Sequence, residues 1–266
     1  MNNTRNKQNM KPVQAKIQQP TAPRLRLPED RELLAFVFAR FIDGEMTGLS
    51  EGHALNYAPD LASADFLAKQ IRDEIRHARM YARLVAYTAP GSAVPRAGYL
   101  LKQIMAPLSG RVWAEHCFLD KAVGERWVLS LMETLIAHVD DKKIVTNLKA
   151  IARDERGHIA FGEQQTRAYA HSRWRRYYLW GLFLRVDFAM GLAYRLLRRM
   201  IQRRYSPAAA QLLKVFFTDA RQGIAQHTAD LLGVRLNRSF VQMLFCQLVF
   251  LLKSPFAGRF HRTPYP

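Results

Sequence analysis

The stretch Asp73-Glu74-Ile75-Arg76-His77 recurs in related form as Asp154-Glu155-Arg156-Gly157-His158. In each copy a glutamate and a histidine are three residues apart, and an aspartate comes directly before the glutamate. Residues i and i+3 share one face of a helix, so each copy can direct a carboxylate and an imidazole at one point. One such pair arises by chance on many exposed helices, whereas two matched copies predict a common site.

A lone glutamate precedes each copy at nearly the same distance. Glu45 lies 29 residues before Glu74, and Glu125 lies 30 residues before Glu155. A gap of about 30 residues brings the midpoints of two antiparallel helices level. The pattern is therefore typical of a four-helix bundle that holds two metal ions in its core. The predicted metal ligands are Glu45, Glu74, His77, Glu125, Glu155 and His158.

The types of ligand indicate which metals the site would take. Four carboxylates and two imidazoles suit iron or manganese, and the set contains no thiolate to favour zinc. Asp73, Asp154 and Arg76 are predicted to lie directly behind the ligands. The two aspartates would accept the ring N–H of the histidine on the neighbouring helix, because metal-bound histidines usually donate that proton to a carboxylate; a solvated aspartate on the outer face is the alternative. If no metal binds, Arg76 and Arg156 could form ordinary salt bridges with these acids.

Apolar periodicity predicts an all-α chain in three parts. Residues 1–27 read as a basic disordered tail, 28–172 as the bundle, and 173–266 as a basic, aromatic helical extension packed on it. The first helix should begin near Pro28 and end before Pro59, and 90–111 should form a crossover. Further helices are predicted at 60–88 with Asp60 or Ser63 as its cap, 112–138, 140–171 with an Asp140–Asp141 cap, 173–204, 207–231 and 238–253.

Bulk composition narrows the classes of partner and compartment. The chain has 266 residues, 49% of them hydrophobic, which is enough for one large core. Cys117 and Cys246 are far apart and suggest no disulfide framework, and no secretory signal is visible, so a cytoplasmic location is expected. The net charge of +18 favours acidic partners, namely an anionic membrane, an acidic carrier protein or an acidic electron donor. Nucleic acid is disfavoured, because no binding module accompanies the charge.

The positive charge is concentrated toward the C-terminus. Residues 171–206 contain nine arginines and one acid, Asp187, and residues 231–266 contain five basic residues and no acid. An apolar helix with aromatic residues at one end and arginines at both ends is typical of a helix lying on a membrane. Arg185 and Asp187 near its middle argue against a spanning helix. A core helix with basic ends is the favoured alternative.

The motif at Asp73–His77 resembles the Asp-Glu-x-Arg-His motif of ferritin-like di-iron oxygenases. These include the methane and toluene monooxygenase hydroxylases, the acyl-carrier-protein desaturases and the phenylacetyl-CoA epoxidase subunit, and the amine N-oxygenases are similar in layout. The second copy departs from the pattern at Gly157, where those families often have arginine. The resemblance covers about residues 29–171 and implies a ferritin-like fold. It also implies two iron ions, with manganese as an alternative, bridged by Glu74 and Glu155 as the catalytic carboxylates.

By this resemblance, the iron pair would take electrons from an external donor and activate dioxygen to oxidise a small organic or acyl substrate. A mainly apolar substrate pocket is then expected, lined by Phe38, Phe41, Ile42, Leu129, Met132 and Phe161. Tyr81 lies on the ligand face and could be redox-active, although a core tyrosine is the favoured alternative. Glu133 and Glu163 could be extra ligands or proton carriers, although a solvated or ion-paired glutamate is favoured for both.

Two other functions remain open from the sequence. A rubrerythrin-like ferroxidase or peroxidase would use the same ligands, but the chain lacks the Cys-x-x-Cys pairs of a rubredoxin module. A non-enzymatic helical protein that binds an acidic partner or a membrane would hold no metal. Metal content separates the last function from the other two.

Overall fold

The structure is a computed structural model that describes residues 24–27, 29–48, 54–91, 110 and 112–235. The predictions for the tail before residue 24, for most of the 90–111 crossover, for the 238–253 helix and for Cys246 lie outside the described residues. The described part is predominantly helical and contains no strand, which confirms the all-α prediction for it. One isolated β-bridge joins Leu25 to Val139.

Six helices make up the described part of the chain. The third is continuous but has a central π-helical segment. The helices are α1 (Arg31–Gly48), α2 (Leu61–Thr88), α3 (Trp113–His116, the π segment Cys117–Gly124, and Glu125–His138), α4 (Lys142–Tyr169), α5 (Arg173–Arg204) and α6 (Pro207–Leu232). A 3-10 turn, Leu55–Tyr57, lies between α1 and α2.

Side-chain caps fix the start of the two helices that carry the repeated motif. Asp60 accepts a hydrogen bond from Ser63 N at 2.7 Å, and Asp141 accepts one from Ile144 N at 2.8 Å, as predicted for both helices. The first helix begins at Arg31, and its described part ends at Gly48, before Pro59 as predicted.

Four helices surround one interior. α1 packs against α2, α3 packs against α4, and α2 also contacts α4. Apolar side chains at helical spacing fill this interior, among them Leu34 and Phe38 of α1, Leu84 of α2 and Leu148 of α4, all of which are fully buried or nearly so. The repeated motifs lie in the middle of α2 and α4, so their inward side chains face this interior.

A second apolar cluster joins α3 to the C-terminal helices. It contains Trp127 of α3, residues 178–183 of α5, and Phe217 and Ile224 of α6. The first half of α5 is therefore a core element, in agreement with the favoured alternative. The second half is largely exposed from Phe188 onward. None of the described helices combines the length and apolar composition needed to cross a membrane.

Candidate metal centre

The six predicted ligands converge on the interior of the four helices, and each is buried. Each lies on the apolar stripe of its helix, where a carboxylate needs a compensating charge. α1 contributes Glu45, α2 contributes Glu74 and His77, α3 contributes Glu125, and α4 contributes Glu155 and His158.

One half of the cluster consists of Glu45, Glu74, His77 and Glu155. One ligand atom from each lies within 4.8 Å of all the others. His77 Nδ1 is 3.5 Å from Glu45 Oε2 and 3.2 Å from Glu155 Oε1. Two ligand atoms that bind the same ion, each at about 2.1 Å, lie about 3 to 4 Å apart, so these spacings suit a shared cation.

The other half consists of Glu74, Glu125 and His158, whose ligand atoms also lie within 4.8 Å of one another. His158 Nδ1 is 3.6 Å from Glu125 Oε2, 3.5 Å from Glu155 Oε2 and 3.9 Å from Glu74 Oε1. Glu74 thus belongs to both halves, and Glu155 approaches both imidazoles. Carboxylates in this position can bridge two ions.

The ring nitrogens that face the cluster fit metal binding. His77 Nδ1 and His158 Nδ1 are buried and have no hydrogen bond of good geometry to any described residue. Glu125 Oε2 is in the same situation. Buried polar atoms are nearly always satisfied, and two metal ions, one in each half of the cluster, would satisfy all three.

The aspartates of the two motifs support the opposite helix's histidine. His77 Nε2 lies 3.3 Å from Asp154 Oδ2, and His158 Nε2 lies 3.6 Å from Asp73 Oδ2. Arg76 ties the two aspartates together, at 2.9 Å from Asp73 and 2.8 Å from Asp154. Asp154 is close enough to hold a proton on Nε2 of His77, and Asp73 lies just beyond hydrogen-bond distance of Nε2 of His158; in both rings Nδ1 faces the cluster.

Burial and mutual repulsion set the protonation of the metal-free cluster. Burial, together with neighbouring Glu45, raises the pKa of Glu74 from 4.5 to about 10. Burial also raises the pKa of Glu125. Burial acts in the same direction on Glu155, but the imidazoles of His158 and His77 outweigh it and lower its pKa to about 2. Without a metal, the cluster is therefore stable only when part of its carboxylates are protonated.

The metal-free protein should lose stability as the pH rises. Folded Glu74 keeps a proton that the unfolded chain releases above its usual pKa, so the free energy of unfolding should fall by more than about 1 kcal/mol between about pH 5 and pH 8. Glu155 acts in the opposite direction. Because its pKa is lowered in the folded state, the stability that it contributes is lost only as the pH falls from about 4.5 toward 2. Urea unfolding of metal-free protein measures this slope. Glu74→Gln should flatten it, and an unchanged slope would contradict the assignment.

Two polar side chains that the sequence reading did not single out reach the cluster. Gln70 Nε2 donates to Glu125 Oε1 at 2.6 Å and to Glu74 Oε1 at 3.1 Å. Lys121 is fully buried, with Nζ 2.6 Å from Asp120 Oδ2 and 3.3 Å from Glu125 Oε1. Each lies four residues before a predicted ligand glutamate, which is the signal that could have identified it.

The π segment of α3 and a glycine of α4 together place Lys121. A Cβ atom added to Gly162 would overlap Lys121 Cβ and lie 2.8 Å from Cys117 O. Only glycine therefore lets α4 approach the π segment this closely. π-helical turns are rare and often occur at functional sites, and this one carries Lys121 one turn before Glu125.

The two halves of the cluster have different surroundings. The residues four positions before Glu45 and Glu155 are Phe41 and Ile151, both buried and apolar. The corresponding positions before Glu74 and Glu125 are the polar Gln70 and Lys121. The half that contains His77 is thus set in apolar packing, whereas the half that contains His158 has an amide and an ammonium group beside it.

Tyr81 and most of the expected pocket residues lie in tight packing. The Tyr81 ring is stacked on Phe41 with centroids 4.8 Å apart, and its hydroxyl contacts Met132 Sδ at 3.1 Å. Burial raises the pKa of Tyr81 well above its usual value. These contacts are those of a core tyrosine. Phe38, Phe41, Leu129 and Met132 are buried and Ile42 is partly buried in the same core cluster.

A cavity beside the cluster lies on another side, between α2 and α4. Its volume is about 140 Å³, and His158 and Gln70 form its inner wall. Phe161, one of the expected pocket residues, is stacked on the lining residue Phe66 with centroids 3.7 Å apart. The lining is largely charged or polar and consists of Phe66, Lys69, Gln70, Asp73, Arg153, Asp154, Gly157 and His158.

The two glutamates considered as extra ligands are ion-paired away from the cluster. Glu133 is bound by Arg156 at 2.7 Å on the surface. Glu163 is bound by Arg126, and by His227 Nε2 at 2.8 Å. Ion pairing, the favoured sequence interpretation, is therefore the observed arrangement for both.

Comparison with known families adds one match. Residues 45–164 match a family described as a domain of unknown function, DUF6306. The matched range is a little under half of the chain, begins at the first predicted ligand, Glu45, and ends six residues after the last, His158. No curated protein and no solved structure matches the chain.

Proposed function

We propose that the protein is a dinuclear iron oxidoreductase with a ferritin-like bundle. The observation that carries this proposal is the position of Glu74, which belongs to two separate groups of possible ligands and can therefore join two ions. A surface cluster of acids would not explain buried histidine nitrogens directed at buried carboxylates. Manganese fits the same donors, so elemental analysis of the purified protein would identify the metal in each position.

When bound, a reduced iron pair would supply electrons for dioxygen chemistry. An external donor in the cytoplasm would replace those electrons. The chain's own residues orient and shield the site. Asp154 holds the imidazole of His77 in one tautomer, and Asp73 takes the corresponding position beside His158. Tyr81 and its aromatic neighbours exclude water from the His77 side. Access is from the His158 side, through the cavity between α2 and α4.

The lining of that cavity bears on the substrate. Lys69, Asp73, Arg153 and Asp154 suit a small polar organic molecule better than an acyl or aromatic group. An acyl pocket reaching the metals from within the bundle would require the packed side chains around Tyr81 to move. An oxygenase acting on a small polar substrate is our first candidate, and the Asp-Glu-x-Arg-His motif supports it.

The same charged cavity favours a second candidate, a ferroxidase or peroxidase. A short polar approach to the metals suits Fe(II) or hydrogen peroxide as the substrate. An organic substrate carried by an acidic protein belongs to the first candidate only. A non-enzymatic role would be supported by the absence of bound metal.

Iron loading and oxygen consumption test the proposal. Metal-free protein loaded anaerobically with Fe(II) should hold about two iron ions per chain and consume dioxygen when air is admitted. Glu133→Ala is the matched control, because Glu133 is a surface glutamate two turns beyond Glu125 on the same helix, and it should change neither value. Iron near zero would overturn the proposal. Sustained turnover of excess Fe(II) or peroxide would select the second candidate over the first.

A further inference from the structure

The second half of α5 presents an unusual outer face. Phe188, Leu192, Leu196 and Met200 follow one another at intervals of four residues and are 75%, 53%, 61% and 36% exposed. Together they form a stripe about 18 Å long on one side of the helix. Single exposed apolar residues are common, but a continuous stripe of large ones marks a surface that binds something.

Arginines accompany this apolar stripe. Arg195, Arg199 and Arg203 project from the same side of α5 at helical spacing, and all three are exposed. No acidic residue of the described chain lies within ion-pair distance of them. Asp187, the one acid of α5, is already held by Arg221 through contacts of 2.7 and 2.6 Å. The face is thus apolar and strongly positive.

We propose that this face of α5 binds the surface of an anionic membrane, with the helix lying parallel to it. Large apolar side chains can enter the boundary between headgroups and acyl chains, while neighbouring arginines reach the lipid phosphates. Trp174, at the start of the same helix, is 55% exposed and is of a type enriched at membrane interfaces. The inference is independent of the metal centre.

Charge argues against the other occupants of this stripe. In a symmetric dimer through α5, the arginines of one copy would face those of the other. Residues 236–266 of the same chain contain four basic residues, no acid and an uncharged stretch at 239–252, so they carry no group that would pair with the arginines. An acidic protein would satisfy the charge, but a straight stripe without a cavity suits a fluid lipid surface better than a shaped partner.

Vesicle co-sedimentation of the full-length, metal-loaded chain tests the proposal. Binding is expected to vesicles of phosphatidylcholine with about 30 mol% phosphatidylglycerol, and not to phosphatidylcholine alone. Each basic residue at a membrane surface contributes about fivefold, so Arg195→Glu with Arg199→Glu should weaken partitioning by at least about 25-fold. Replacing Phe188, Leu192 and Leu196 together by serine should also abolish stable binding. High salt should release the protein.

Matched controls separate this face from general basicity. Arg79→Glu with Arg83→Glu makes the same charge change on exposed positions of α2 and should weaken binding far less. Leu61→Ser is the control for the apolar substitutions, because it removes a leucine that is 85% exposed but lies on α2, outside the stripe. Helix content and the urea concentration at the unfolding midpoint report whether each variant is folded. Absence of binding to anionic vesicles overturns the proposal, as does equal weakening of binding by the two pairs of arginine substitutions. It is also overturned if the protein is a dimer in solution and the serine substitutions act by breaking that dimer.

Discussion

Replacing Glu74 by alanine is expected to remove both metal ions, the largest effect of any single substitution in the chain. Glu74 is the carboxylate that the two halves of the cluster share, so its loss leaves neither half with its full ligand set. Elemental analysis after anaerobic iron loading should find the content falling from about two to below about 0.5 per chain. Oxygen consumption should be lost with it.

The matched comparisons are the glutamates that belong to one half each. Glu45→Ala should weaken only the half that contains His77, and Glu125→Ala only the half that contains His158, leaving about one ion per chain in each case. If Glu74→Ala retained as much metal as Glu45→Ala, a bridging role for Glu74 would be wrong.

Loss of metal by Glu74→Ala should not reflect unfolding. In the metal-free protein, the pKa of Glu74 is raised to about 10 because the buried charge is unfavourable there. Removing that carboxyl therefore removes the free-energy cost of keeping it protonated in the folded state above its unfolded pKa. The metal-free variant should unfold at a urea concentration no lower than the metal-free wild type above about pH 7.

The convergence of the six candidate ligands could be predicted from sequence because its determinants are local. A Glu and a His three residues apart must share a face of α2 or α4, whatever the rest of the chain does. The capping aspartates, Asp60 and Asp141, are local signals of the same kind, and they start these two helices. The reciprocal approach of Asp73 and Asp154 to opposite histidines then follows from the match between the two copies.

Features that depend on how helices approach one another could not be predicted in this way. The π segment and the burial of Lys121 depend on the close contact of α3 with Gly162 of α4. A single glycine in a helical sequence does not predict such a contact. The cavity is a similar case. Apolar residues near the ligands suggested a pocket, but Phe41 and Met132 instead pack on Tyr81, and the open space lies beside Gln70.

The second large effect is expected from Lys121→Met. The Lys121 ammonium lies 3.3 Å from Glu125 Oε1 and so competes with a cation for that carboxylate. Methionine has a similar length and no charge, so the second ion, bound by Glu74, Glu125 and His158, should bind at least about 10-fold more tightly. The first ion, in the half containing His77, should be nearly unaffected because its surroundings are apolar.

The same substitution should weaken the metal-free protein. Removing one partner of a buried charge pair leaves Glu125 uncompensated, which costs about 3 kcal/mol before that carboxyl takes up a proton. Bound metal should restore the lost stability, so the difference in stability between Lys121→Met and wild type should shrink when both are loaded with metal.

Manganese titration followed by electron paramagnetic resonance of the free ion measures the two affinities, and urea unfolding measures the stability. Lys142→Met, on the exposed first turn of α4, is the control and should change neither. Weaker binding of the second ion to Lys121→Met would show instead that the ammonium positions Glu125 for the metal, because competition predicts the opposite sign.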